Sequence, residues 1–488
     1  MYKPRNQHPT SMLFYSFHVI RFVIFPLVLS LFTMIKREDY LIWVGLALGL
    51  LLIIAGGWGI LSWARYTYQV VDGELRVNQG VIIRERRYIP QERIQAIDIT
   101  ENIFHRLLGV VQVNVETAGG SEPEVSLMAV KREEAERLRK QLMTRTKEEE
   151  PSQETPLLVH RLSFQELLLA GATSDQIGIA LSFLGIFSSG LDRIFEWFNP
   201  FSAFDIPLDM IVDHSTAIWF AIFSVLFLLF LSWIIVIGGT VFSYAGFTIQ
   251  RVNGELLIQR GLLERRRSTI PLQRIQAIRI VEGVLRQPFG LVSVYVESAG
   301  YGVDADAEST VLFPLLKRQE VKPFLQQFAP EFVGSIELKP LPQRARRRYI
   351  VRSCLPMLFP ILFLSLFFFP FGLFSLLLLI PSYFWGRLKY RDAGWSEAEG
   401  RLLMRFRRLG RITVIIPRRR IQSGTVSATP FQRRANLVTL GVTVASSAIF
   451  RVANLEATTG ESLLEWIRTG QRPLYWGKTK ESEKSPHT

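Results

Sequence analysis

The nine residues IPQERIQAI at positions 89–97 recur as IPLQRIQAI at positions 270–278. Shifting the chain against itself by 181 residues aligns Gly73–Gly119 with Gly254–Gly300 without a gap, and 22 of these 47 positions are identical. Unrelated segments would share roughly one residue in fifteen, so this identity indicates an internal duplication. The chain is therefore built from repeated units, and each unit should fold in the same way.

A third, more diverged copy lies 327 residues after the first. Asn436 stands where the first copy has Gly109, and Arg407 stands where it has Gly80, so a surface shared by the other copies is expected to differ here. We interpret the repeated polar positions as structural rather than ligand-binding, with the prolines starting strands and the arginines pairing with a carboxylate such as Glu116 or Glu297. In the third copy Thr443 stands at that glutamate position, so such a pair is expected to fail there. The repeated positions are Pro90, Arg93, Gln95, Pro271, Arg274, Gln276, Pro417, Arg420 and Gln422.

Each copy has a β-strand pattern followed by a short helix. Asp72-Gly73 and Asn253-Gly254 are typical hairpin turns, in which both central residues need positive φ. Several short strands so close together predict an antiparallel barrel or sandwich, and we interpret the unit as a small β-barrel closed by one C-terminal helix. In the first copy the predicted strands are Tyr68–Val71, Glu74–Asn78, Val81–Ile89, Ile94–Thr100 and Val110–Glu116, and the predicted terminal helices of the three copies are Lys131–Leu142, Leu315–Phe328 and Glu461–Ile467.

Long uncharged apolar runs precede the three copies in pairs. A bilayer needs roughly 20 apolar residues per helix, and the mean hydropathy of +0.20 is high for a soluble protein. We predict six membrane spans in three hairpins, the last turning at Pro370–Gly372. The runs are Phe22–Ile35, Leu41–Leu61, Ile177–Leu191, Ala217–Val241 and Ser353–Trp385, and Phe164–Ala172 reads as an interfacial helix.

The charge of the loops predicts the orientation. The connector Asp192–Ser215 has five acidic residues and one arginine, whereas Lys3, Arg5 and Arg65 flank the first hairpin. Short loops rich in Lys and Arg stay cytoplasmic. We therefore predict a multi-pass protein of the inner (cytoplasmic) membrane with a retained first span, and with its N-terminus and all three β-rich domains in the cytoplasm.

These patterns divide the chain into alternating membrane and cytoplasmic parts. The single cysteine, Cys354, falls inside the last apolar run and cannot form an intrachain disulfide. The predicted boundaries are 16–62, 163–241 and 349–386 for the membrane hairpins, 66–143, 246–329 and 388–468 for the repeated domains, and 469–488 for a polar tail.

The combination of a membrane hairpin, the DGEL or NGEL turn, the IPxxRIQAI block and a final helix resembles the bacterial pleckstrin-homology-like (PH-like) domains of the YdbT type. The resemblance covers nearly the whole chain. It implies a seven-stranded bent barrel capped by a helix, and no catalytic residues. It also implies a suspected role in envelope stress or antimicrobial-peptide protection, often beside a smaller one-domain relative.

Arginine clusters recur in matching regions of the three copies and account for much of the net charge of +14. Each exposed Lys or Arg near an anionic leaflet contributes about 1 kcal/mol, so we expect these clusters to bind lipid or a partner protein. A protein companion or a homo-oligomer is also expected. The candidate binding residues are Arg84, Arg86, Arg87, Arg265, Arg266, Arg267, Arg405, Arg407 and Arg408; for Arg344, Arg346, Arg347 and Arg348 a role limited to setting topology is equally well supported.

Other function classes have less support. The six histidines are scattered, and no metal-ligand spacing, phosphate-binding loop or nucleophile motif occurs, so we predict no enzyme, metal or cofactor. Nucleic-acid binding would use the same arginines, but no recognition motif accompanies them and the membrane segments hold them beside lipid phosphate. A transporter or exporter subunit is the alternative, with Arg21 and Asp175 as the residues to test.

Overall fold

The computed structural model of the protein describes most of the chain, with gaps at connectors and at both ends. The described residues are 4–34, 38–117, 124–143, 158–174, 214–252, 254–298, 310–334, 337–446 and 448–470. The predicted third apolar run, the acidic connector, Asp175 and Asn253 lie outside these ranges.

The membrane helices are apolar over their whole circumference and expose most of their large side chains. Four segments are long and apolar enough to cross a bilayer: Gly45–Arg65, Leu226–Tyr244, Ala345–Phe367 and Phe371–Asp392. The expected turn in the last hairpin is confirmed at Phe368–Pro370, between a helix and a 3-10 segment. The helices are α1 (Ser11–Met34), α2 (Glu38–Arg65), α3 (Ile103–Leu107), α4 (Arg132–Met143), α5 (Phe164–Ala172), α6 (His214–Tyr244), α7 (Val321–Phe328), α8 (Ala345–Phe367), α9 (Leu379–Asp392), α10 (Pro430–Arg433) and α11 (Ala457–Thr469).

The strands of the three copies follow the predicted order. They are β1 (Arg5–Asn6), β2 (Thr67–Val71), β3 (Glu74–Gln79), β4 (Glu85–Pro90), β5 (Ile94–Glu101), β6 (Val110–Thr117), β7 (Val125–Lys131), β8 (Leu158–Arg161), β9 (Thr248–Val252), β10 (Glu255–Arg260), β11 (Arg265–Pro271), β12 (Ile275–Glu282), β13 (Leu291–Ser298), β14 (Thr310–Lys317), β15 (Lys339–Pro340), β16 (Gly394–Ala398), β17 (Arg401–Arg407), β18 (Arg411–Pro417), β19 (Ile421–Ser427), β20 (Leu437–Val444) and β21 (Ile449–Glu456). Burial alternates along β6 and β10, whereas β13 and β14 are buried along nearly their whole length.

The chain forms two compact units whose boundary falls inside the second copy. The first unit contains residues 1–161, 246–275 and 298–309, and the second contains 162–245, 276–297 and 310–488. The division arises because each copy contributes its first strands to one sheet and its later strands to another.

The first unit has two antiparallel sheets. One has the order β1-β2-β3-β4, and the other has the order β7-β6-β5-β11-β10-β9-β8, in which strands of the first and second copies join at β5 and β11. Tyr66, Leu75, Ile97 and Leu127 fill the core of the first copy, and Leu138 of α4 covers its open end. This burial explains why the amphipathic helix follows the last strand of the copy.

The second unit repeats this arrangement. Its large sheet has the order β14-β13-β12-β18-β17-β16-β15, joined at β12 and β18, and its small sheet has the order β19-β20-β21. Trp395, Leu440 and Val442 of the two sheets form one core with Leu463 and Trp466 of α11.

The hairpin turns that begin each copy behave as their sequences predict. Asp72 and Gly73 both have positive φ, at 52° and 74°. Glu399 and Gly400 adopt the same conformation in the third copy, at 52° and 71°. Positive φ is favourable for glycine and unfavourable for most residues, so the conserved shape of the turn explains the glycine at its second position.

The predicted fold class is confirmed, because apolar helices accompany helix-capped, sheet-rich domains, and the sheets of the first and third copies pack face to face around one core each. Four details of the sequence prediction were wrong. Within the described residues the sheets do not close into a barrel, because the 3-10 turn after Pro90 sends β5 into a different sheet. Pro90 and its equivalents end strands rather than start them. Residues 81–83 form a bend instead of the start of β4. Leu315–Lys317 belongs to β14, so the terminal helix of the second copy starts only at Val321.

Candidate membrane-surface site

A cleft lined by cations lies where the first membrane hairpin meets the first β-rich domain. Arg65 is the last residue of α2, and β2 starts two residues later. The outer face of β2, β3 and β4 forms the floor of the cleft. We call it the basic cleft; it is lined by Arg65, Gln69, Arg76, Asn78, Gln79, Gly80, Arg84, Glu85, Arg86 and Tyr88.

The four arginines of the basic cleft differ in how they are held. Arg76 donates to Glu74 at 3.2 and 3.3 Å and lies over the ring of Tyr88 at 5.6 Å. Arg65 reaches the carbonyl oxygen of Val81 at 3.5 Å. Arg84 and Arg86 are exposed, and the described residues provide neither with an ion-pair partner. These two guanidinium groups are therefore available to an external anion.

The one carboxylate of the basic cleft is already engaged. Gln79 donates to Glu85 at 3.0 Å, and Arg87 donates to it at 2.9 and 3.2 Å. These two partners hold the pKa of Glu85 below its usual range, so it stays ionised at neutral pH. The cleft keeps an excess of positive charge, which favours phosphate or carboxylate ligands.

An apolar loop borders the basic cleft. Ile82 and Ile83 are 82% and 76% exposed, in the bend between β3 and β4, and Arg84 follows them directly. Gly80 shapes this bend with φ of 103°, because a Cβ atom there would lie 1.9 Å from the carbonyl oxygen of Ile83. At a bilayer interface, charged head groups lie next to apolar acyl chains. Two exposed isoleucines beside exposed arginines, close to the end of a membrane helix, are arranged in the same way.

His105 joins the first domain to its membrane hairpin. Its ring stacks on Phe14 of α1, with centroids 4.1 Å apart, and its Nε2 lies 2.9 Å from the carbonyl oxygen of Met128. Asn102 caps α3 by accepting from the backbone of His105. Burial lowers the pKa of His105. The scattered histidines gave no sign of this role.

The arginine cluster of the second copy lies at the junction of β5 and β11. Arg266 donates to Asp98 at 2.6 and 2.9 Å, and the side chain of Asp98 is fully buried. Arg267 donates to Glu136 of α4 at 2.5 Å. Arg265 is exposed. Two of these three predicted binding residues therefore hold one copy to the next.

The arginine cluster of the third copy is similarly engaged. Arg407, with a side chain only 2% exposed, donates to Asp392 at 2.5 Å and to Gln287 at 2.6 Å. Arg405 donates to Thr413, and burial together with the nearby Arg411 lowers its pKa to about 10. Arg408 is exposed. Arg411, outside the predicted set, pairs with Glu282 across the junction of β12 and β18.

The repeated proline, arginine and glutamine positions surround a 3-10 turn in every copy. Pro90, Pro271 and Pro417 precede these turns in extended conformation. Arg93 is exposed, Arg274 donates to the carbonyl oxygen of Glu92, and Arg420 lies 3.7 Å from Glu331. The carboxylate of Glu297 lies 3.3 Å from Arg279, a partner that the sequence pattern did not suggest. Gln276 is buried and Gln422 is exposed, while the side chain of Gln95 is outside the described set.

The third membrane hairpin is flanked by its own exposed cations. Arg346 and Arg347 start α8, and Arg387 and Arg391 lie in the last turns of α9. Their neighbours are engaged, since Arg344 pairs with Glu456 and Arg348 donates to the carbonyl oxygen of Phe431. Arg21 is exposed on α1. Within the described ranges, no group of three His, Cys, Asp or Glu side chains could hold a metal ion.

Comparison with known proteins identifies the repeated unit. The family model described as "Bacterial PH domain" matches three segments of the chain, residues 23–146, 203–331 and 358–471. The chain is also 33% identical over 475 residues to the UPF0699 transmembrane protein YdbT of Bacillus subtilis (strain 168). That alignment covers 92% of this chain and 94% of the relative.

Proposed function

Because this chain belongs to the bacterial PH domain family, we propose that it is a non-enzymatic membrane protein whose first domain binds anionic lipid head groups at the cytoplasmic leaflet. The observation that carries the proposal is the basic cleft beside the end of α2. Its exposed Arg84 and Arg86 lie next to the exposed Ile82 and Ile83. Cations would contact lipid phosphate while the isoleucines enter the acyl region.

The other arginine clusters support this assignment to the first copy. Arg266, Arg267 and Arg407 are held by carboxylates. An arginine so neutralised adds little to the attraction of an anionic surface. The exposed cations of the third hairpin, Arg346 and Arg347 among them, would add contacts at the same membrane face.

The test uses the full-length protein in mild detergent, with retained lipids measured by native mass spectrometry. Phosphatidylglycerol and phosphatidylcholine are added in equal amounts. The double variant Arg84→Gln/Arg86→Gln should lose about 2 kcal/mol, or roughly 30-fold, of its affinity for phosphatidylglycerol, because each arginine contributes about 1 kcal/mol. Retention by the wild-type protein should fall as salt is raised.

Arg468→Gln is the matched control, because its side chain is 75% exposed at the end of α11 and does not line the basic cleft. A second variant, Ile82→Ser/Ile83→Ser, should weaken binding of both lipids alike, since it removes apolar contact and no charge. Equal retention of the two lipids by the wild-type protein, or equal loss in the Arg468 control, would contradict the proposal.

We further propose that this surface serves envelope protection with a related partner, as the PH-like family resemblance suggests. The three copies can act together, because linked weak sites that face one surface gain avidity. Deleting the gene and testing sensitivity to cationic membrane-active peptides would check this role. Wild-type resistance in the deletion strain would reject it.

A further inference from the structure

The copies of the PH-like unit join by one repeated kind of strand pairing. Residues 265–269 of β11 pair antiparallel with 97–101 of β5. Residues 411–415 of β18 pair antiparallel with 278–282 of β12. The two registers involve equivalent positions of the repeats. Each copy therefore offers the edge of its later sheet to the third strand of the next copy.

The third copy offers the same edge, and the described part of the chain provides no strand for it. β19 is the equivalent of β5 and β12, and it ends the three-stranded sheet β19-β20-β21. Residues 424–428 stand at the positions of 97–101 and 278–282. Ser423, Thr425 and Ser427 are exposed along one face of the strand. The docking edge seen twice within the chain thus remains open at its end.

β19 also lacks the charged side chains and the proline that usually prevent edge pairing. Proteins block exposed edges with charged side chains or proline. Residues 421–428 contain neither. The register shift after Ile421 also occurs after Ile94 of β5, which is paired all the same. An uncharged seven-residue edge of this kind is stable in a cell when another strand covers it.

The occupant is not β4 of a second copy of this chain. In the two docked strands, Ser268 and Val414 occupy a buried central position. Arg87 stands at that position in β4, and in the same register it would face Thr425. Docking β4 there would bury Arg87 and its carboxylate partners Glu85 and Glu124 opposite a hydroxyl group, and taking these charges out of water is unfavourable. Self-association through these two edges is therefore disfavoured.

We propose that β19 is a docking edge for a PH-like domain of another polypeptide, which adds its own third strand antiparallel to residues 424–428. The structure specifies the chemistry of that strand. It should carry uncharged residues at its centre, as Ser268-Thr269 and Val414-Ile415 do, and end in Ile-Pro, as both docked strands do. Backbone hydrogen bonds between the two strands would provide the affinity. The uncharged central side chains and the final Ile-Pro would provide the specificity. This contact is independent of lipid binding by the basic cleft.

The test is site-specific photo-cross-linking of the full-length protein in the membranes of its own host. p-Benzoylphenylalanine replaces Thr425. In a control protein it replaces Arg451, which is exposed on β21, the strand at the opposite edge of the small sheet β19-β20-β21. The expected adduct forms at Thr425 alone. Mass spectrometry should locate it in a strand that precedes Ile-Pro in a PH-like domain of another protein.

Adding Ser423→Lys and Ser427→Lys to the Thr425 probe should abolish the adduct, because charged side chains block edge pairing and both positions tolerate a long exposed side chain. Unchanged lipid retention by this variant would show that the protein is still folded and inserted. The proposal is overturned by an adduct with residues 84–90 of a second copy, with residues 471–488 of this chain, or with any protein lacking a PH-like domain. Absence of an adduct at Thr425 above the Arg451 level overturns it equally.

Discussion

The two segments of the third membrane hairpin are long enough to cross a bilayer when their charged ends are included, but we predict that the hairpin turns inside the bilayer because its uncharged part is shorter. The chain carries no charged residue from Ser353 to Gly386. The uncharged part of α8, Ser353–Phe367, has 15 residues and is therefore about 22 Å long, whereas the hydrocarbon core is about 30 Å thick. The uncharged part of α8 limits how deeply the hairpin can enter the membrane. The turn of the hairpin, which we call its tip, therefore stays in the hydrocarbon core and does not reach the head groups of the far leaflet.

The composition of the tip agrees with this depth. Phe368, Phe369, Phe371 and Phe374 are 60–76% exposed to their surroundings. Burying one phenylalanine is worth about 1.5–3 kcal/mol, so moving all four from hydrocarbon into water would be unfavourable by roughly 6–12 kcal/mol. The turn also satisfies its own backbone, since Ser365 donates to Gly372 and the amide of Gly372 donates to Phe368. Irregular backbone in hydrocarbon requires such internal partners.

The assay places one cysteine at the tip in a background without the native thiol. Phe371→Cys in Cys354→Ala protein should resist a membrane-impermeant maleimide added to intact cells, and should react after denaturation. Ser202→Cys in the same background, in the acidic connector predicted to lie outside, is the positive control. If the Phe371→Cys protein were labelled in intact cells as fast as the Ser202→Cys protein, the reasoning would be refuted, because the tip would then lie in the external aqueous phase.

Three further predictions concern stability, measured by thermal unfolding in mild detergent. Asp98→Ala removes the buried partner of Arg266 and should lower the free energy of unfolding by about 3–5 kcal/mol. Glu465→Ala removes an exposed ion pair and should lower it by under about 1 kcal/mol. Equal losses of stability would contradict a stabilising junction between β5 and β11. Gly261→Ala, at φ of 103° with a Cβ atom 1.8 Å from the carbonyl oxygen of Glu264, should lower the unfolding temperature clearly, while Gly238→Ala on α6 meets no atom within 4 Å and should not. Since burial lowers the folded-state pKa of His105, the unfolded chain binds the extra proton more readily, so stability should be retained above pH of about 6.5 and decrease as pH falls below it; a similar decrease in His105→Gln would reject that residue as the cause.

The fold was largely predictable because the same local sequence patterns occur in all three copies. Hairpin turns such as Asp72-Gly73 and the amphipathic α4 depend on neighbouring residues, which sequence patterns describe well. The pairing of β5 with β11 could not be predicted, because the two strands lie more than 160 residues apart and nothing local specifies which edge accepts which strand. For this reason the closed barrel was expected where open, shared sheets occur.

The same limit applied to the candidate site. Arginine clusters in matching regions suggested surfaces for lipid or a partner protein, with the third copy expected to differ. Equivalent sequence positions, however, have different neighbours in the first copy than in the later ones. Asp98, Glu136 and Glu282 accept the arginines of the following copy, and none of these acceptors could be assigned from the pattern. The lining of the basic cleft by Arg76 and Tyr88 was also missed, because both residues belong to unremarkable strands.

Position along the repeat therefore decides what each arginine cluster does. The third strands of the second and third copies pair with a preceding copy, whose carboxylates hold Arg266, Arg267 and Arg411, whereas Arg265 stays exposed. The third strand of the first copy meets no preceding copy within the described chain, so Arg84 and Arg86 stay exposed beside the membrane helix. At the other end, no described strand pairs with the free edge of β19, and Ala428 stands where β5 has Glu101 and β12 has Glu282. The first and third copies therefore differ from the second in which edges are paired within the described residues, and this difference is the basis for proposing lipid contact at the first copy and strand docking at the third.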